Sequence, residues 1–315
     1  MQAWTYTPKG SYRDVLKLTT IAVPQAPTGN SVLVKVAYSS PNGGDLKLMK
    51  IIPQFLRENH SRPGIDYSGI IVARGPTAPA DLRIGDKVFG MLRRTPYVQG
   101  RGSLCEYISV DPKGDMVAHV PTNIPLEEAS ALASTGVVAF LICKHGLIPP
   151  GNNYRVLVNG ASGGYGSMFV QGVLAQGARE VVGTCSAANA ELVRGLGASK
   201  VIDYQANAPL HQYLATEYGQ PDQQFDFILD TVGSQALYIN SPKYLKKGGV
   251  FVNIGDYTDG MFWTIFYTIM NHVRPTWLGG TPRKFVMFSG DTDPKVSSSG
   301  IEWSLSCLYY LWKPK

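Results

Sequence analysis

The sequence is poor in cysteine, in long apolar runs and in blocks of like charge, and each scarcity speaks against a class of protein. Four cysteines, Cys105, Cys143, Cys185 and Cys307, are scattered through 315 residues with no Cys-x-x-Cys pair. That spacing argues against a disulfide framework and a cysteine-built zinc site, and for a reducing, cytoplasmic compartment. The longest apolar run, MFWTIFYTIM (Met261–Met270), falls short of the roughly 20 residues that cross a bilayer. A buried helix or a subunit contact is its expected use, and the latter admits a homodimer. The N-terminus, MQAWTYTPKG, has no apolar signal core and no Arg-rich amphipathic pattern, so it reads as mature protein. The net charge is +6, with 29 Lys and Arg dispersed among 23 acids. That is a surface friendly to anionic ligands; no nucleic-acid stripe and no nucleic-acid partner are expected.

What is present is a change of texture along the chain. The first third has short β-rich runs: SVLVKVAYSS (Ser31–Ser40), YSGIIVARG (Tyr67–Gly75), LRIGDKVFGM (Leu82–Met91) and GSLCEYISV (Gly102–Val110). Separated by Gly and Pro, they predict a compact, mainly β domain over residues 1–124. From Pro125 the Ala- and Leu-rich PLEEASALASTGVVAFLICKHG, with Glu127 and Glu128 in its first turn, predicts a helical pair that leads into a second domain. From Arg155 strands and helices alternate through RVLVNG, SMFVQGVLAQG, EVVGTCS, NAELVRGLG, KVIDY, PLHQYLATEYG, FDFILDTVG and GVFVNIGDY. That order predicts right-handed βαβ units and a doubly wound parallel sheet over residues 125–275, so the fold class is α/β.

The stretch VLVNGASGGYG (Val156–Gly166) runs a strand straight into a glycine turn and then a helix. Glycine lets the backbone approach a pyrophosphate, and a helix N-terminus points N–H groups at the anion. Strand, turn and helix arrive in the order a dinucleotide site requires, against the alternative of a turn with no ligand. Gly160, Ser162, Gly163, Gly164, Tyr165 and Gly166 are therefore the candidate cradle. An NAD site usually places an acid at the end of the next strand for the ribose 2′-OH. Here that end reads Thr184, Cys185, Ser186. Ser186, with Lys200 and Tyr204 near the following strand, is the candidate for a 2′-phosphate, which favours NADPH; the alternative is ordinary strand-end polarity.

In their order, PGIDYSGIIV, IGDKVFGM, GASGGYGSMFVQ, GLGASKVIDY, FDFILDTVG and LKKGGVFVNIG resemble the medium-chain dehydrogenases/reductases. The resemblance is to the zinc-free quinone oxidoreductase (zeta-crystallin-like) branch, near its fungal and reticulon-4-interacting-protein-like members. It runs from about Trp4 to Ser289, and Gln171 after the glycine turn is its more specific mark. It implies a GroES-like β domain, then a Rossmann domain, with the cofactor in the cleft between them. It also implies contacts from Thr135 near the nicotinamide, and from Val232, Gly233, Ile254 and Gly255 at strand ends, where open α/β sheets bind ligands. Relatives often carry Arg or Lys at the place of Ala188, so the resemblance implies weaker 2′-phosphate binding here unless Lys200 or Arg194 compensates.

The zinc enzymes of that superfamily need a Cys and a His that are absent. Asn42 stands near the Cys place and Ile65 at the His place, and Asp45 with Asp66 makes a poor zinc set. The five histidines, His60, His119, His145, His211 and His272, show no ligand spacing. No metal is expected. Without one, hydride from NADPH to a quinone or to the β-carbon of an enone needs hydrogen-bond donors for the developing oxyanion and a proton source. NGGDLKLMK resembles the family's N-P-x-D-x-K element, which implies Asn42 and Lys47 facing nicotinamide and acceptor, with Asp45 orienting them. Gly43 replaces the usual Pro, and several members carry Tyr in place of Lys47. The plainer alternatives are a turn residue for Asn42 and a solvated lysine for Lys47.

The segment 276–315 departs from the family, which continues for some fifty residues more and closes with a G-K-V-V strand; it reads as atypical and truncated. An enoyl reductase of a fungal biosynthetic pathway is the close enzymatic alternative. A low-turnover cofactor-binding scaffold or RNA-binding, crystallin-like protein is the rival from another class.

Overall fold

The protein is described from a computed structural model, which covers residues 1–92, 100–144, 148, 153–255 and 260–288. By contact the chain divides into two compact units at Val137/Val138.

In the first unit, β1 (Gln2–Thr5) pairs with β2 (Lys17–Thr20) on either side of the short α1 (Tyr12–Val15). A five-stranded antiparallel sheet follows. Its strands are β3 (Val32–Ser40), β4 (Asp66–Arg74), β5 (Lys87–Met91), β6 (Tyr107–Val110) and β7 (Met116–His119), in the order β6-β3-β4-β5-β7. The β-branched and aromatic residues Val32, Val34, Tyr67, Ile71, Val88, Ile108 and Val110 form its core. The helix α2 (Gly43–Ile51) leaves the end of β3, and the β3–β4 register pairs Ser40 with Asp66. That register brings the start of β4 beside the start of α2. The strands expected from the β-rich runs are all present; β1, β2 and β7 are additional, short and weakly patterned.

The expected helical pair is α3 (Leu126–Ala129) and α4 (Ala133–Lys144). The division between units falls inside α4 rather than at 124/125. The reason is that α3 is tied to the first sheet, with Ser68 Oγ donating to the Leu126 carbonyl at 2.5 Å.

The second unit is a six-stranded parallel sheet. Its elements are β8 (Arg155–Asn159), α5 (Gly164–Ala175), β9 (Glu180–Cys185), α6 (Ala190–Gly195), β10 (Lys200–Asp203), α7 (Leu210–Glu217), β11 (Phe225–Asp230), α8 (Gln235–Asn240), β12 (Leu245–Asn253), α9 (Met261–Val273) and β13 (Lys284–Met287). The strand order is β10-β9-β8-β11-β12-β13, every neighbouring pair parallel. β8 is buried along its whole length, as a central parallel strand must be. Leu157, Val182, Ile202, Phe225, Ile228 and Phe251 pack in the core.

One boundary needs revision here. The sheet does not end at residue 275: β13 pairs with β12 in parallel register, Phe251 opposite Phe285, and belongs to the same unit. A four-residue strand framed by Pro and Gly carries too little period to be seen in advance. The apolar run at Met261–Met270 is helical, as α9, but it is not buried as a whole. Phe262, Ile265, Phe266, Ile269 and Val273 are exposed along one side. The stretch from residue 289 onward, and with it the reading of a truncated end, lies outside the described residues.

Candidate functional site

The strand order of the second unit reverses between β8 and β11, and open α/β sheets bind ligands outside the carboxyl ends of the strands at such a point. The glycine turn sits there. Gly160 takes φ +82°, and a side chain would strike Thr231 Oγ1 at 2.3 Å. Gly166 lies in the first turn of α5, where a Cβ would meet the Gly160 carbonyl at 2.2 Å. Only glycine lets the helix press onto the turn this closely. Gly163 is the N-cap of α5, and its N–H closes the turn onto the Gly160 carbonyl at 3.0 Å. Gly164 and Gly166 follow in the first helical turn, whose N–H groups have no carbonyl one turn earlier to take them. The turn thus presents a helix N-terminus to the outside of the strand ends.

Beneath the turn lies a buried polar network absent from the sequence reading. Thr184 Oγ1 accepts from the Gly160 N–H at 3.1 Å and donates to Asn159 Oδ1 at 2.6 Å. Asn159 Nδ2 donates to Asp230 Oδ1 at 2.8 Å. Asp230 also accepts the N–H groups of Val232, Gly233 and Ser234 at 3.0, 3.0 and 2.7 Å. Burial pushes its carboxyl above the usual range, against the lowering effect of those bonds. The ends of β8, β9 and β11 are thereby welded under the cradle. The signal was a polar residue closing each apolar strand, Asn159, Thr184 and Asp230.

The other predicted cofactor residues divide by position. Val232 and Gly233 follow β11, with Gly233 at φ +87°. Ile254 and Gly255 follow β12, with the Ile254 N–H bonded to the Asp230 carbonyl at 3.0 Å and the Gly255 N–H to Asn253 Oδ1 at 2.9 Å. Ser186 follows β9, and Tyr204, just past β10, donates its N–H to the Cys185 carbonyl at 3.2 Å. Asn189, not predicted, reaches Ser186 Oγ at 3.3 Å and Ser162 Oγ at 3.5 Å, linking the β9 end to the glycine turn.

Lys200 is a correction. It opens β10 opposite Val182, at the amino ends of the strands, away from the turn. Its ammonium pairs with Glu217 at 3.6 Å and lies over the Tyr218 ring, 5.1 Å from the centroid. Proximity in sequence to Tyr204 misled, because a strand separates the two. Arg194, the other suggested cation, pairs with Glu191 on the same helix.

The first unit holds a second cluster around Asn42, the residue before α2. Asp45 is fully buried and its Oδ2 accepts the Asn42 backbone N–H at 2.5 Å. The Asn42 side chain accepts the Asp45 backbone N–H in return, a capping box, and its Nδ2 donates to Asp66 Oδ2 at 2.9 Å. Asp66 is also buried, and it accepts the Ser134 N–H on Oδ1 at 3.1 Å and the Ser134 hydroxyl on Oδ2. Burial pushes the Asp66 carboxyl up to about 7; the bonds from Ser134 and Asn42 pull downward, and the Asp45 charge adds to the rise. Thr135, buried beside Ser134 in the first turn of α4, donates to the Ala131 carbonyl at 2.8 Å. Lys47 is exposed on α2, and partial desolvation lowers its ammonium below the usual lysine value. Asp45 holds the Asn42 backbone, and Asp66, which the sequence did not single out for this, is the partner of the side chain.

Among the described residues no group of three or more His, Cys, Asp or Glu side chains is placed to hold a metal ion, and no helix is long and apolar enough to cross a membrane.

Comparison with known proteins matches residues 28–122 to the alcohol dehydrogenase GroES-like domain and residues 164–281 to the zinc-binding dehydrogenase family. Medium chain reductase pydE of an Acremonium species is 36% identical, over 96% of this chain and 88% of its own length. Trans-enoyl reductase poxH of Penicillium oxalicum is 30% identical, over 92% and 84%. Among solved structures, the quinone oxidoreductase of Escherichia coli complexed with NADPH superposes with a TM-score of 0.73 at 20% identity, over 98% of this chain and 88% of that one.

Proposed function

The chain belongs to the medium-chain dehydrogenase/reductase superfamily, in its zinc-free branch, and is a nicotinamide-dependent oxidoreductase; we propose that it uses NADPH to reduce an α,β-unsaturated carbonyl in the cytoplasm. One observation carries this reading: the glycine turn stands at the switch point of the parallel sheet, with Ser186 and no acid at the end of the neighbouring strand. The Cβ clashes at Gly160 and Gly166 support this reading, because glycine lets the turn close tightly against the helix start that would face a phosphate.

In this reading the start of α5 from Gly164 to Gly166, with Ser162 and with Gly163 shaping the turn, holds the pyrophosphate by its N–H groups and the helix dipole. Ser186, Asn189 and Tyr204 take the 2′-phosphate by hydrogen bonds, with no cation of the described strand ends assisting. The backbone at Val232, Gly233, Ile254 and Gly255 borders the dinucleotide, and Thr135 serves its nicotinamide end. NADPH, when bound, supplies hydride to the β-carbon of the enone. Lys47 is the donor for the carbonyl oxygen as it gains charge, and a lowered ammonium releases its proton more readily at neutral pH. Asn42 and Asp45 set the start of α2, on which Lys47 lies.

The enone is preferred as acceptor because the relatives with 30% identity or more carry reductase and trans-enoyl reductase names. A quinone is the second acceptor class, on the strength of the GASGGYG turn followed by Gln171, which resembles quinone oxidoreductases. The exposed side of α9 supports self-association into a homodimer.

The test is NADPH consumption by the purified protein with a panel of enones and with phenanthrenequinone, alongside NADPH and NADH affinities. Turnover of enones with NADPH preferred is the expected result. Tight NADPH binding by folded protein with no acceptor consumed would leave a binding protein in place of an enzyme.

A further inference from the structure

Building on that reading, which places Asn42 at the reacting end, we infer that Asp66 is a positioning residue: it decides which end of the Asn42 amide is offered to a bound group, and it locks that amide to the start of α4.

Two buried carboxyls grip Asn42 from different sides. Asp45 takes the backbone N–H at 2.5 Å and so fixes the residue. Asp66 takes Nδ2 at 2.9 Å and so fixes the side-chain rotation. The second Nδ2 hydrogen has only the Ser40 carbonyl, at 3.5 Å. Asn42 Oδ1 lies 3.4 Å from Ser134 Oγ, but that hydroxyl has one hydrogen, and the shorter contact is to Asp66. The nitrogen of the amide is therefore spent inward, and the carbonyl oxygen, which takes the Asp45 backbone N–H in the capping box of α2, keeps one lone pair for a ligand. Above its raised value of about 7 the carboxyl is ionised and only accepts, so there the amide cannot turn round without setting acceptor against acceptor.

This polarity has a chemical consequence. Asn42 suits a ligand N–H, such as that of a carboxamide, and does not serve as an oxyanion donor, which leaves that part to Lys47. The burial of Asp66 is otherwise hard to account for. The carboxyl has no ion-pair partner among the described residues, and its donors are confined to Asn42 and Ser134. A buried carboxyl held only by neutral donors is costly, and an apolar residue there would cost less. The alternative role, a cap for α4 through the Ser134 N–H, explains one of the three bonds and not the bond to Asn42.

Asp66→Asn keeps the shape but leaves one acceptor oxygen for three donors, so an N–H2 group must face either Asn42 Nδ2 or the Ser134 N–H. At pH 8, with NADPH and an enone saturating, kcat is expected to fall at least about tenfold. The KM for NADPH should change less than about threefold, because the glycine turn carries the affinity. In an Asn42→Ala background the same substitution should add little, the sign of action through Asn42. Full, independent losses in the two backgrounds, or a folded Asp66→Asn protein with kcat within twofold of wild type, would overturn the inference. If Asp66→Asn fails to fold, Ser134→Ala takes its place in the same cycle. If the wild-type protein turns over no enone, the functional reading fails by itself. The inference is then read from the Asn42 side-chain amide protons by NMR. They should exchange slowly in wild type and quickly in the Asp66 or Ser134 variant; equal exchange would refute it.

Discussion

In the second unit, the glycine turn itself lies between Gly160 and Gly166, with the polar ends of β8, β9 and β11 beneath it. In the first, Asn42, Asp66 and Ser134 come from a helix start, a strand start and another helix start, 24, 68 and 92 residues apart in their pairings. The first arrangement rests on backbone, the second on side chains. A cradle of N–H groups tolerates no added Cβ but makes few demands on distant sequence. A cluster of buried carboxyls depends on every partner being delivered by the fold, and each missing partner leaves a polar group unsatisfied.

Substitutions separate the two plans. The largest effect is expected at Gly166→Val, which drives a branched side chain into the Gly160 carbonyl. Dinucleotide binding should vanish and stability should fall by a few kcal/mol, read by cofactor titration and thermal melting. A protein that still binds NADPH would show that the turn is not the cradle.

Gly163→Asp distinguishes charge from shape at the same turn. Gly163 has φ −76° at the N-cap of α5, a place where Asp is favoured. The melting temperature should therefore hold or rise, while NADPH affinity drops about 100-fold, equivalent to about 2.7 kcal/mol. Joint loss of stability and affinity would contradict this.

Asp66 brings a pH dependence to the first unit that the glycine turn lacks. Its folded value of about 7 lies above its ordinary 3.8. As pH rises between these values the unfolded chain releases the proton while the folded chain keeps it, so stability declines and then levels off above the folded value. The decline should amount to on the order of 2 kcal/mol between about pH 5 and about pH 7. Denaturant titrations of wild type and Asp66→Asn should therefore diverge in favour of the variant as pH rises. Parallel curves would place the Asp66 carboxyl in its ordinary range.

The smallest effect is expected at Ser186→Asp, which supplies the acid that the end of β9 lacks. Preference should move toward NADH by about tenfold, or about 1.4 kcal/mol, measured as the ratio of the two Kd values. No movement would remove Ser186 from the ribose side of the site.

Legibility followed the same line as the comparison. The alternation of strands and helices, the antiparallel strands of the first unit and the glycine turn were readable because each is a local pattern. Lys200 was misplaced because sequence proximity to Tyr204 ignores the length of β10, which carries the two to opposite ends. β13 was missed because its four residues show no period, and it is recognised only by pairing with β12. Asp66 was weighed as a zinc ligand and set aside. Its pairing with Asn42 depends on the β3–β4 register, which no local pattern displays. Asn159, Thr184 and Asp230 were visible as polar strand ends, but their joining required the order of the strands.

By itself the sequence determined the order of the elements, the glycine turn with no acid at the end of the neighbouring strand, and the absence of residues suited to zinc at the places the resemblance marks. These depend on backbone conformation and residue type at adjacent positions. Only the tertiary structure decided that Asn42 gives its amide nitrogen to Asp66, that Lys200 belongs to Glu217, and that three strand ends share one buried network. Those outcomes depend on which residues the strand register and helix starts bring within hydrogen-bonding distance, and burial then makes each such pairing obligatory.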